Sequence, residues 1–223
     1  MKKKLIAFAI VLTTQIFSQA TVTTGHGRAS DKAIMTGRSE LKKQSCCETA
    51  RYNAYKKVGH FQSSIVITGN SKKPYISLKY GNAQKRTGNN KCTSLHNQYE
   101  ECKVQIQDNT PFAFRSKSRS GWIDENTYVV ISEGKASFRA ITKNSYAMKE
   151  TTCIEATKLN AIYTMVQNVA QSIYGNDEKV DFKIKSPKIW VKSCRSEKNE
   201  YEQCKCKIVL HDKGLKQKVI DRL

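Results

Sequence analysis

Apolar and polar residues alternate in two ways along this chain. Near the C-terminal end Val180, Phe182 and Ile184 alternate with Asp181, Lys183 and Lys185, and Cys204, Cys206 and Ile208 alternate with Lys205 and Lys207. Val104 and Ile106 alternate with Lys103 and Gln105. A period of two predicts strands with one face in and one face out. Between 154 and 173 the step changes to three and four, through Ile154, Ile162, Met165, Val166, Val169 and Ile173, and Gly175 follows. That spacing predicts a helix with one apolar face. A second, thinner helical stripe, with Ala50, Ala54, Tyr55 and Val58, predicts a helix over 40–57, stopped at Gly59.

These elements recur. Gly27-Arg-Ala-Ser30 returns as Gly134-Lys-Ala-Ser137, and the same shift of 107 residues places Cys46 on Cys153, Glu48 on Glu155, Asn53 on Asn160 and Ala54 on Ala161. Further on, Cys92-Thr-Ser-Leu-His-Asn-Gln-Tyr-Glu-Glu-Cys102-Lys aligns with Cys194-Arg-Ser-Glu-Lys-Asn-Glu-Tyr-Glu-Gln-Cys204-Lys at a shift of 102. Two blocks in the same order predict a duplication. The expected fold class is α+β, as two tandem, disulfide-stabilised copies of a helix-on-antiparallel-sheet module. The first copy spans 21–110, a basic linker 111–121, and the second copy 122–223.

The first 20 residues have a basic start, a short apolar run and small residues at Ser18 and Ala20. This is the pattern of a signal peptide, and it predicts a secreted or periplasmic protein. No later segment is apolar enough to predict a transmembrane span in the mature chain. In an oxidising compartment the eight cysteines predict disulfides. Each Cys-x9-Cys segment reads as a hairpin, which predicts the pairs Cys92–Cys102 and Cys194–Cys204. Cys46, Cys47, Cys153 and Cys206 remain open. One arrangement joins Cys153 to Cys206 and leaves Cys46 and Cys47 to each other or to another chain; the other joins Cys46 to Cys153 and Cys47 to Cys206.

Charge narrows the choice of partner. Three of the 39 Lys and Arg leave with the leader, and the remaining 36 exceed the 19 Asp and Glu by 17. The first copy with its linker carries 18 basic and 6 acidic residues, the second copy 18 and 13. An anionic polymer, a lipid headgroup or an envelope protein is therefore the expected partner, and it would prefer the first half. The candidate anion-binding residues are the outward strand lysines Lys103, Lys183, Lys185, Lys192, Lys205 and Lys207, with Arg115, Lys117 and Arg119 in the linker. Tyr75, Tyr80, Trp122 and Trp190 are aromatics available for stacking.

The sequence has no nucleophile elbow, no phosphate-binding glycine loop and no metal-binding histidine spacing. No catalytic residue, metal or cofactor is predicted. The chief reading is a non-catalytic binding or structural protein with basic surfaces. The alternatives are an extracellular polyanion or nucleic-acid binder, and a secreted enzyme or toxin whose site uses Gly25-His-Gly27 or His96. Cys194, Cys204, Cys206 and His211 form a zinc alternative to the disulfide. The strand end Gly27 to Ala29 with Glu48-Thr-Ala50, repeated as Gly134 to Ala136 with Glu155-Ala156, resembles the small periplasmic modules of bacterial flagellar assembly protein T and related secreted lipoproteins. The resemblance implies a non-catalytic module of the cell envelope.

Overall fold

A computed structural model describes residues 21–59, 62–69, 74–81, 90–108, 120–174, 182–184 and 188–221. The chain runs β1 (Thr21–Arg28), α1 (Asp31–Met35), α2 (Ser39–Lys57), β2 (Gln62–Gly69), β3 (Pro74–Tyr80), β4 (Cys92–His96), β5 (Glu101–Asp108) and β6 (Gly121–Asp124). It continues through β7 (Thr127–Lys135), α3 (Phe138–Thr142), α4 (Tyr146–Tyr174), β8 (Phe182–Ile184), β9 (Lys188–Lys198), β10 (Gln203–His211) and α5 (Leu215–Ile220). Helices and antiparallel sheets are thus mixed, as the alternating periods predict. No helix among the described residues is long and apolar enough to cross a membrane.

Among the described residues three antiparallel sheets form, in the orders β1-β5-β4, β6-β7-β10-β9 and β3-β2-β8. In the first, α2 lays Cys46, Ala50, Ala54 and Val58 on Cys102, Val104 and Ile106. The helix comes close because β1 offers it Gly25 and Gly27. A Cβ at Gly25 would overlap the Ala50 carbonyl oxygen and the Ala54 nitrogen. On the second sheet, α4 buries Ile154, Ile162, Met165 and Val166 against Tyr128, Val130, Ile208 and Leu210. The opposite face of that sheet carries a row, Val129–Val209–Trp190, that joins the α2 core. Ile65 and Ile67 of β2 join the α4 core, and β8 pairs with β2. Each half thus completes the other's core.

Local structure follows the paired sequence blocks closely. Ser30 caps α1 by accepting from the Ala33 amide at 3.2 Å, and Ser137 caps α3 by accepting from Ala140 at 3.3 Å. Asn97, Gln98 and Tyr99 turn through φ of 39°, 46° and 72°; Asn199, Glu200 and Tyr201 turn through 40°, 50° and 75°. Ser94 Oγ accepts from the Tyr99 amide at 2.9 Å, and Ser196 Oγ from the Tyr201 amide at 2.8 Å. The matched Ser, Asn and Tyr are therefore turn-formers.

The bridges differ from the hairpin expectation. They are Cys46–Cys102, Cys47–Cys92, Cys153–Cys204 and Cys194–Cys206. Neither Cys92–Cys102 nor Cys194–Cys204 forms, and neither arrangement of the other four cysteines does. The reason is register. The four-residue turn and a bulge set Cys92 opposite Val104 and Cys102 opposite Ser94. In the second hairpin Cys194 faces Cys206, and Cys204 faces Ser196. Cys102 and Cys204 point inward, each to a helix cysteine with Cα atoms 6.1 Å apart.

Candidate functional site: an open polar trough on the first sheet

Because Gly25, Gly27, Cys102 and Val104 turn toward α2, their neighbours take the other face. The ladder sets Thr24 beside Gln105, His26 beside Lys103 and Arg28 beside Glu101. Two hollows meet on this face. One, about 670 Å³, is lined by His26, His96, Lys103, Glu100 and Glu101 and, from the second half, by Lys143, Tyr146 and Glu200. The other, about 490 Å³, is lined by Lys91, Thr93, Lys103, Gln105 and Gln107. Lys103 lines both, and the result is an open trough along the sheet.

His26 is held firmly. Its Nδ1 lies 2.7 Å from Glu150 Oε2, at the start of α4. Lys57 Nζ donates to the other Glu150 oxygen at 3.0 Å and to the Thr24 carbonyl at 2.6 Å. Asn53 Nδ2 donates to the His26 carbonyl at 2.7 Å and to Thr151 at 3.0 Å. The free edge of β1 is thereby covered by side chains rather than by another strand. Burial alone would raise the Glu150 carboxyl. The His26 hydrogen bond and the Lys57 charge outweigh it and hold the group below the usual carboxylate range. The His26 ring stands edge-on to Tyr146 at 5.2 Å, and Tyr146 edge-on to Tyr201 at 5.6 Å. Burial and then the Glu150 charge push the Tyr146 hydroxyl up. Among the described residues His26 Nε2 has no hydrogen-bond partner, so its free edge is left to the trough.

A second polar joint lies deeper. Lys158 Nζ donates to the Lys56 carbonyl at 2.9 Å and to Glu155 at 3.2 Å, while Tyr80 donates to Glu155 at 2.5 Å. Burial brings Lys158 down to about 8. This cluster is closed, and it joins α2, β3 and α4. Asp31 makes a third link between the halves, at 2.7 Å from Arg28 and 2.7 Å from Lys143, which hold it at about 2.

The predicted anion-binding residues occupy different settings. Lys103 makes no ion pair with any described residue. Lys205 is outward and paired to Glu133 at 2.7 Å. Lys192 lies over the Trp190 ring at 5.6 Å, and Lys207 is half-buried opposite Ile131. Lys183 sits in β8 opposite Val66. Lys185, Arg115, Lys117 and Arg119 lie outside the described residues. The stacking aromatics need a larger correction. Trp190 is 5% exposed, Tyr80 sits in the polar joint, and Trp122 packs edge-on against Tyr128; Tyr75 alone of the four is exposed.

Among the described residues, the groups of three or more closely placed ligand atoms are all cysteine sulfurs, and every cysteine is bridged. His211 bonds Thr127 and stacks on Trp190, at the end of β10 away from Cys204 and Cys206. Glu150 and Lys57 had no local signature in the sequence, since His26 and Glu150 are 124 residues apart. No protein family, curated protein or solved structure matches the chain.

Proposed function

We propose that this is an exported, disulfide-bonded binding protein made of two copies of one module, and that the outer face of its first sheet engages an anionic polymer of the cell envelope or extracellular space. Support for the duplication is the shared strand order, β1-β5-β4 against β7-β10-β9, with matching serine caps, left-handed turns and helix-to-strand bridges. One observation carries the binding reading. At the place where the second copy neutralises Lys205 with Glu133, the first copy sets Lys103 beside His26. His26 turns away to Glu150, and Lys103 is left facing the trough. The basic excess of the first half points the same way. A non-catalytic envelope role also agrees with the resemblance to the flagellar assembly modules.

The test is retention on a heparin or single-stranded DNA matrix across a salt series. Each cationic contact contributes about one unit to the slope of log affinity against log salt. Lys103→Gln should lower that slope by about one, and an unchanged slope contradicts the assignment. A second reading, acid–base chemistry in the same trough, draws on the buried carboxylate that fixes His26 and leaves Nε2 open. It requires cleavage of a bound polymer that His26→Gln abolishes; polymer of unchanged length at saturation rules it out.

A further inference from the structure

The two bridges within each half abut. The Sγ atoms of Cys47, Cys92 and Cys102 all lie within 4.8 Å of one another, although Cys92 is bonded to Cys47 and Cys102 to Cys46. The second half repeats this with Cys194, Cys204 and Cys206, where the bonds are Cys194–Cys206 and Cys153–Cys204. The two clusters are built differently. Cys92 takes its partner from the helix, at Cys47; Cys194 takes its partner from the neighbouring strand, at Cys206. Two routes thus reach the same three-sulfur arrangement. In both, the helix-to-strand bridge is fully buried, with Cys46 and Cys102 at 0% and Cys153 and Cys204 at 0% and 1%. The adjacent bridge reaches the surface, through half-buried Cys92 or Cys194.

We infer that each half carries a thiol–disulfide exchange site, in which a surface bridge opened by an external thiol passes the exchange to the buried one. Two thiols of a small reductant or of another envelope protein react in turn with Cys47–Cys92. The first thiolate bonds to Cys92, the sulfur that reaches the surface, and expels Cys47 as a thiolate. The second releases Cys92 as a thiolate, and the reductant leaves as its own disulfide. Cys92 then attacks Cys102 Sγ: the Cys92–Cys102 bond forms, the Cys46–Cys102 bond breaks, and the electron pair departs on Cys46. One disulfide and two thiols, Cys46 and Cys47, result. In the second half Cys194 attacks Cys204 and frees Cys153, leaving Cys153 and Cys206 as thiols. The staple has moved from helix-to-sheet into the hairpin, and the helix is released from its covalent tie while the hairpin stays closed. The substrate class is a thiol reductant, and the site works without the trough.

Peptide mapping decides the matter. Native protein is treated with limiting dithiothreitol at pH 8, quenched in acid, alkylated and digested without further reduction. The expected early product has Cys46 and Cys47 alkylated together and Cys92 joined to Cys102, with Cys153 and Cys206 alkylated and Cys194 joined to Cys204 in the other half. Alkylation of Cys47 and Cys92 with Cys46–Cys102 intact would overturn the inference. Cys47→Ala provides a second reading without reductant: after incubation at pH 8 it should contain Cys92–Cys102 with free Cys46. Quantitative alkylation of Cys92 beside an unchanged Cys46–Cys102 would contradict it.

Discussion

Beside β1 the first sheet leaves a lysine open; beside β7 the second sheet closes one. His26 stands 107 residues before Glu133, and Lys103 stands 102 residues before Lys205. Both pairs are cross-strand neighbours in register. Glu133 meets its lysine at 2.7 Å; His26 is committed to Glu150 across the joint between the halves. In both halves an asparagine on the helix holds the strand, since Asn53 donates to the His26 carbonyl and Asn160 to the Glu133 carbonyl, each at 2.7 Å. The scaffold is therefore held constant while the outward chemistry differs. A surface ion pair contributes little stability, of order 0–1 kcal/mol. Exchanging it for an open lysine costs the fold little and changes what the sheet offers to a ligand.

The comparison breaks most sharply at the bridges. Removing Cys46–Cys102 or Cys153–Cys204 as alanine pairs opens loops with sequence separations of 56 and 51 residues. Because Cys47–Cys92 still closes most of the first loop, the loss there should be about 3 kcal/mol, against about 4 kcal/mol in the second half, where the remaining Cys194–Cys206 bridge has a separation of only 12, both read by chemical denaturation. A loss in one half alone would show that the two clamps are not equivalent.

A smaller effect is expected where the helices approach the sheets. The counterpart of Gly25 is Ser132, and that of Ala50 is Thr157, so the first helix sits closer than the second. Gly25→Ser should destabilise by about 2 kcal/mol through overpacking, while Ser132→Gly should lose about 1 kcal/mol, mainly through backbone entropy. Equal losses by thermal melting would contradict the difference in spacing.

Next is pH, which reads the joint rather than either half. Glu150 and Glu155 are both held below the usual carboxylate value of 4.5 in the folded protein. Their contribution is complete above that value and is lost as pH falls through the lowered folded values. The melting temperature should therefore drop on acidification below about pH 4.5, and Glu150→Gln should flatten part of that drop. At the alkaline end Lys158 titrates near 8 in the fold and at 10.5 when unfolded. The unfolded chain binds the extra proton between those values, so stability should rise with pH there. Tyr80, pushed above its ordinary 10.0 by burial and by Glu155, keeps its proton when the unfolded chain loses it, so stability should fall above about pH 10. A profile flat from pH 8 to 11 would argue against the buried cluster.

Much of the fold was legible where local rules act alone. The helix expected over 40–57 spans Ser39–Lys57, and the long helix spans Tyr146–Tyr174. The paired Ser-Asn-Tyr block anticipated identical turns. The strands β2 and β3 were missed, although Ile65 and Ile67 alternate with Ser64, Val66 and Thr68. The signal was a period of two, but it lay in a stretch outside the paired sequence blocks. The disulfides failed for a different reason. Cysteine spacing gives the hairpin but not its register, and the four-residue turn with its bulge sets Cys92 opposite Val104 rather than Cys102. Lys103 was named with eight other basic residues; what set it apart is Glu133, which had no reason to be compared with His26 until both strands were in register.

The most direct measurement sets Lys103→Gln beside Lys205→Gln on the same heparin or single-stranded DNA matrix, with the salt dependence of affinity measured for each. The open-and-closed account predicts that the first substitution lowers the slope by about one unit and the second leaves it nearly unchanged. Equal slopes for the two variants, or a larger drop for Lys205→Gln, would contradict it.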